Sequence, residues 1–163
     1  MAGVGLGNGL LQNGISLGAV FNALAAAGTA ETAAIPLPYV TNASYSTVFY
    51  GDIELIGSST TPNFTTGAGS PYIQGAWLVA NSGTNYDYYG TSNSQLFPIN
   101  YTSFTVPLVP SITIGTVLRL TGLVLPFIPS VSANAKLVIF NNSGATFPTV
   151  VTATLYVGGA SAG

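Results

Sequence analysis

Six side chains carry full charge: Glu31, Asp52, Glu54, Asp87, Arg119 and Lys136. Only Asp52 and Glu54 stand close together in sequence. At i and i+2 on a strand they share a face, and a carboxylate pair about 6–7 Å apart could do acid–base work on a glycoside. No cation nearby in sequence would position a substrate for them, so a solvated strand face is the simpler reading. With Asp87 they could hold a hard cation, but calcium takes six to eight oxygens and the spacing is unlike an EF-hand loop. The chain has no His and no Cys. That removes thiol and Ser–His nucleophiles, zinc sites of the His–Cys type and structural disulfides. Gly3, Gly5, Gly7 and Gly9 alternate. A dinucleotide-binding loop would need its third glycine where Asn8, Leu10 or Gln12 stands, and no strand precedes it. The expectation is a protein that is not an enzyme and takes no metal or cofactor.

Binding chemistry is sparse as well. Tyr86-Asp87-Tyr88-Tyr89 could stack on a sugar, but tyrosines in such a loop more often form contact surface, so Tyr86, Tyr88 and Tyr89 are candidate subunit contacts. Arg119 and Lys136 are the only cations. Two are too few for a phosphate-binding surface, so no direct nucleic-acid binding is expected. Four sequons are present, at Asn42, Asn63, Asn100 and Asn141. They are possible glycosylation sites, and two or three would arise by chance at this Ser and Thr content.

The elements that must carry these residues divide the chain in two. Residues 1–38 are expected to form an N-terminal apolar assembly arm, and 39–163 a β-sandwich domain. In the arm, Ile15, Leu17, Val20, Phe21 and Leu24 recur at near-helical spacing between a possible N-cap at Ser16 and a stop at Gly28, which predicts a short helix over 16–27. Leu17, Val20, Phe21 and Leu24 would then be buried against a neighbouring subunit or a lipid layer. The apolar run is too short to span a bilayer, and without a basic start it is a poor signal peptide, so an intact start at Met1 is expected. From about residue 40 the pattern has period two. Strands are expected over 45–56, 72–80, 104–108, 112–124, 137–140 and 150–157, separated by clusters of Pro, Gly, Ser and Asn. In 112–124, Ile112, Ile114, Leu118, Leu120 and Val124 should face one way. The fold class is all-β: an antiparallel β-sandwich or jelly roll of about seven or eight strands. Alternation does not separate a jelly roll from an immunoglobulin-like order, because connectivity is not written in it.

Charged residues make up 4% of the chain, against about 25% in average proteins. Polarity comes instead from 15 Ser, 19 Thr, 12 Asn and 3 Gln. Such a surface changes little with pH or salt and lacks the repulsion that keeps soluble proteins apart. With a mean hydropathy of +0.53, a subunit that buries much of its surface in a permanent assembly is expected. Tolerance of strong acid fits the same composition.

A short apolar arm, about eight strands in some 120 residues and almost no charge resemble, in layout, small single jelly-roll capsid proteins of viruses of thermoacidophilic archaea and thermophiles. The resemblance covers residues 40–157. It implies a shell subunit whose partners are copies of itself and other shell proteins, with lipid contact through the arm, located in a virion. A second resemblance is to subunits of archaeal surface filaments, threads and bundling pili, where an N-terminal strand completes the next subunit's sandwich. It implies an extracellular appendage. A carbohydrate-binding β-sandwich is a third reading, and it would need an exposed cleft of aromatic and carboxylate groups.

Overall fold

The computed structural model describes residues 9–36, 48–82, 85–88, 103–125 and 134–160. Their period-two stretches form strands β1 (Gly9–Ser16), β2 (Gly28–Glu31), β3 (Ile35–Pro36), β4 (Val48–Ser58), β5 (Phe64–Thr65), β6 (Tyr72–Ser82), β7 (Asn85–Tyr88), β8 (Phe104–Pro107), β9 (Thr113–Gly115), β10 (Val117–Val124), β11 (Asn134–Asn142) and β12 (Val150–Ala160). The protein is all-β, every strand pair is antiparallel, and the described residues contain no helix.

One sheet has the order β1-β12-β4-β10. The other has the order β2-β11-β6-β7, with β3 following β2 along β11 and β8 beside β7 along β6. Counting β2 with β3 and β7 with β8, and setting aside the small β5–β9 pair, the sheets hold eight strand positions. In chain order these are arranged 1-8-3-6 in the first sheet and 2-7-4-5 in the second. The pairs 1–8, 2–7, 3–6 and 4–5 are nested: the chain forms one long hairpin whose two arms stay paired as it rolls up. The β5–β9 pair obeys the same nesting, since it joins the segment after β4 to the segment before β10.

Alternation turns one side of each sheet inward. Ile53, Leu55, Leu118, Leu120, Val151, Ala153, Leu155 and Val157 from the first sheet meet Ile73, Trp77, Ala135, Leu137 and Ile139 from the second in one core. The continuous apolar run in β11 has a further reason. Val138 points to the opposite side and is buried with Ala76 and Leu78 in a second cluster.

The expected helix over 16–27 is not there. Ser16 ends β1, and residues 17–27 run through successive turns, closed by Asn22 N–H on Ala19 O, Leu24 N–H on Phe21 O and Gly28 N–H on Ala25 O. Ala23 (φ 47°) and Ala27 (φ 60°) adopt left-handed backbone that a helix excludes. Strand edges supply the backbone partners instead: Leu17 N–H donates to Ala153 O and Ala27 N–H to Asn141 O. The helical spacing of Leu17, Phe21 and Leu24 serves these turns, which push all three side chains into the end of the core. Hence the expected division at residue 38 is also corrected. β1 pairs β12, β2 and β3 pair β11, and Leu17, Phe21 and Leu24 are buried by their own chain, with Val20 alone of the four at the surface.

The single strand expected over 112–124 is two. Gly115 (φ 114°) turns the chain from β9, which pairs β5, to β10, which pairs β4. Within β10 the register shifts between Leu120 and Leu123 at Gly122 (φ 67°). That bulge inverts the alternation, so Leu123 is buried and Val124 is exposed. Ile112, outside either strand, is exposed too.

Candidate functional site

The outer face of the first sheet brings together the carboxylates singled out in the sequence. Asp52 and Glu54 stand side by side on β4, with Tyr156 of β12 opposite Asp52 and Arg119 of β10 opposite Glu54. With Thr121 they line a shallow depression of about 120 Å³. Both carboxylates are engaged in the fold. Arg119 Nε donates to Glu54 Oε2 at 2.7 Å, and Gly122 N–H donates to Asp52 Oδ1 at 2.6 Å. Glu54 therefore ties β4 to β10, while Asp52 closes the bulge. Lys136 Nζ likewise meets Glu31 Oε1 at 2.7 Å, across β11 and β2. Both cations of the chain thus face a carboxylate. Sequence reasoning placed Asp52 and Glu54 on one face but not Arg119, which lies 65 residues further along.

A second, uncharged assembly of residues lies at one end of the sandwich. The connections 17–27, 59–71, 108–116 and 143–149 all emerge there, because β1, β4, β8 and β11 end where β2, β6, β10 and β12 begin. Asn141, fully buried, joins the first to the last. Its Nδ2 donates to Leu24 O (3.0 Å), Ala25 O (3.1 Å) and Ala145 O (2.9 Å), and its Oδ1 accepts Ser143 N–H (3.0 Å). Phe147 N–H reaches Leu24 O, and Gly67 N–H reaches Ser143 O. Thr66 then holds the loop before β9: its Oγ1 donates to Val109 O (2.7 Å) and accepts Ile112 N–H (3.0 Å). Gly67 and Gly144 touch backbone to backbone. A Cβ on Gly144, which has φ 79°, would lie 2.9 Å from Gly67 Cα.

This end corrects one expected modification site. The Asn141 sequon is closed to glycosylation in the folded chain, because its amide is buried and fully bonded. The pattern Asn-x-Ser is also that of an Asx turn, and here it is one: Ser143 N–H returns to the Asn141 side chain. Asn63 is exposed, beside a cleft of about 440 Å³ between the 59–71 and 143–149 connections. Asn42 and Asn100 lie outside the described residues. Of the tyrosines, Tyr86 and Tyr88 lie on β7, opposite Ala80 and Leu78, rather than in a loop. Tyr89 and the side chains of β7 lie outside the described residues. Among the described residues no cluster of three or more acidic groups could hold a metal ion, and no helix is long and apolar enough to cross a membrane.

No family model matches the chain, and no curated protein or solved structure is significantly similar to it.

Proposed function

We propose that this chain is a structural subunit with jelly-roll connectivity that assembles with copies of itself into a closed shell, as a capsid protein does. The observation that carries the reading is the strand order. Four nested pairs, rolled so that 1-8-3-6 faces 2-7-4-5, are what two interlocked Greek keys of a jelly roll require. An immunoglobulin-like sandwich would instead place strands 1, 2, 5 and 4 in one sheet. Two further observations support a structural role. The carboxylates that could have done chemistry brace β4 against β10. The surface is polar without being charged, which suits contact with identical neighbours. The location that goes with this reading is a virion, and the partners are copies of the chain and other shell proteins.

Electron microscopy and analytical ultracentrifugation of the full-length chain test it. Closed particles, retained from neutral pH to about pH 3 and in molar salt, are the expected result. Fibres would transfer the assignment to the filament class, and a monomer at every concentration would end the self-assembly reading.

A further inference from the structure

Two sequons fall among the described residues, and the fold uses only one of them. At Asn141 the pattern is structural: the amide is buried, and its oxygen closes the turn onto Ser143. At Asn63-Phe64-Thr65 the outer two side chains have no such duty. Residues 63 to 66 alternate exposed, buried, exposed, buried, so Asn63 and Thr65 stand together on the outer side of the segment. Phe64 anchors it from within. It is buried and packs edge-on against Phe147, with ring centroids 5.3 Å apart. Pairing with β9 holds the backbone, Phe64 opposite Gly115 and Thr65 opposite Thr113. Neither the Asn63 amide nor the Thr65 hydroxyl takes part in a hydrogen bond among the described residues. The acceptor amide and the hydroxyl that complete a sequon are thus presented to water on one face.

The ground beside Asn63 suits a sugar. The cleft of about 440 Å³ is lined by Thr60, Thr61, Thr65 and Thr146, with Pro62 and Pro148 among them. A pyranose carries hydroxyls around its edge and C–H groups on its faces. Threonine hydroxyls, which both donate and accept, serve the edge, and proline rings serve a face. We infer that Asn63 is an N-glycan acceptor and that the first sugar of the glycan seats in this cleft. The donor is a sugar carried on a polyprenyl diphosphate. Asn63 Nδ2 attacks C1 of that sugar and the N–C1 bond forms. The C1–O bond to the diphosphate breaks, the lipid diphosphate leaves with the electron pair, and the amide gives up one proton to a base of the transferase. The product keeps the end where the connections emerge uncharged and hydrated. The inference rests on the self-assembly reading at one point only: an end that carries a glycan stays clear of subunit contacts, because burying sugar hydroxyls without matched partners is costly.

The folded full-length chain, assembled and dissociated, is incubated with a purified single-subunit oligosaccharyltransferase and a polyprenyl-diphosphate-linked oligosaccharide, and mass spectrometry locates the modified residues. The expected result is transfer to Asn63 in both states, with at least tenfold lower occupancy at Asn141. Synthetic peptides carrying either sequon should be accepted alike, so that the difference belongs to the fold. Thr65→Ala and Asn63→Gln should each abolish transfer at this site, with the fluorescence of buried Trp77 reporting that they fold. Once glycosylated, wild type should unfold at a higher urea concentration than before, and glycosylated T60V/T146V should not gain. No transfer to Asn63 on the dissociated folded chain, or equal occupancy of Asn63 and Asn141 there, overturns the acceptor assignment. Transfer without a rise in the wild-type midpoint overturns the seat in the cleft. Transfer confined to the dissociated chain shows that this end lies in a contact, and overturns that part while leaving self-assembly standing. A chain that is monomeric at every concentration ends the self-assembly reading and leaves the acceptor site to be decided by the transfer alone.

Discussion

Replacing Asn141 tests the connection that holds the described end of the sandwich together. The side chain uses two N–H groups, shared among the carbonyls of Leu24, Ala25 and Ala145, and one oxygen, which takes Ser143 N–H. Asn141→Ala removes three hydrogen bonds' worth of donors and acceptors. Each is worth about 0.5–1.5 kcal/mol net, and the orphaned groups add desolvation, so the loss should be about 3–4 kcal/mol. A chain of this size has a urea dependence of about 2 kcal/mol per molar, so the midpoint should fall by about 1.5–2 M. The lone tryptophan, Trp77, is fully buried and reports the transition by fluorescence. Asn141→Asp sharpens the test. A carboxylate has no N–H and would face three carbonyl oxygens, so its pKa in the folded chain must rise above the unfolded value of about 3.9. Folding then favours the protonated form. The deficit is full at neutral pH and shrinks as pH falls through the raised value towards about 4 and below. A midpoint for Asn141→Ala within about 0.3 M of wild type, or an Asp variant as stable as Asn at pH 7, would refute the account.

Other outcomes follow from the packing and the strand pairing. Phe21→Ala should lower stability by about 3–5 kcal/mol, because Phe21 is fully buried; a chain lacking residues 1–30 should show no cooperative unfolding by circular dichroism, since it loses β1, most of β2 and the core side chains Leu17, Phe21 and Leu24. Gly75→Ala should cost about 1–3 kcal/mol in urea unfolding, because its Cβ would enter the Phe104 ring on the paired strand; combining it with Phe104→Ala should cost less than the sum. Arg119→Ala should change the midpoint by no more than about 1 kcal/mol equivalent, as its side chain is 65% exposed despite the ion pair with Glu54.

What the sequence made legible was the facing of side chains. β12 is the clearest case: Val151, Ala153, Leu155 and Val157 are buried and Thr152 is exposed, as alternation requires. The same signal failed wherever one residue breaks the phase. At Gly122 the bulge exchanges the roles of Leu123 and Val124, and a lone glycine in an alternating run is the one mark of it. Spacing of three and four was misleading at 17–27, because successive turns that plug the end of a sandwich need an apolar side chain at the same intervals as a helix face. Pairing was not legible at all. Gly9 meets Gly159, and Glu54 meets Arg119; alternation says which side of a strand is buried, never which strand lies beside it.

How a chain with six charges specifies that pairing has a physical answer in its buried polar groups. Charged ladders often fix register, but the charged contacts described here are the Glu54–Arg119 and Glu31–Lys136 pairs. The polar side chains buried among the described residues are Thr32, Thr66, Asn141 and Ser143, all neutral. Each bonds backbone: Thr32 receives Leu137 N–H where β2 gives way to β3, Thr66 holds the Val109–Ile112 loop, and Asn141 with Ser143 ties the 17–27 and 143–149 connections. A one-residue slip of β11 against β2 would strand Thr32 or Asn141 without partners, at about 1–3 kcal/mol for each orphaned group. Neutral hydroxyls and amides therefore do here what ion pairs do elsewhere. They do it without any dependence on pH or ionic strength, so the tolerance of acid and salt proposed for the assembly would begin inside the subunit, in the bonds that set its register.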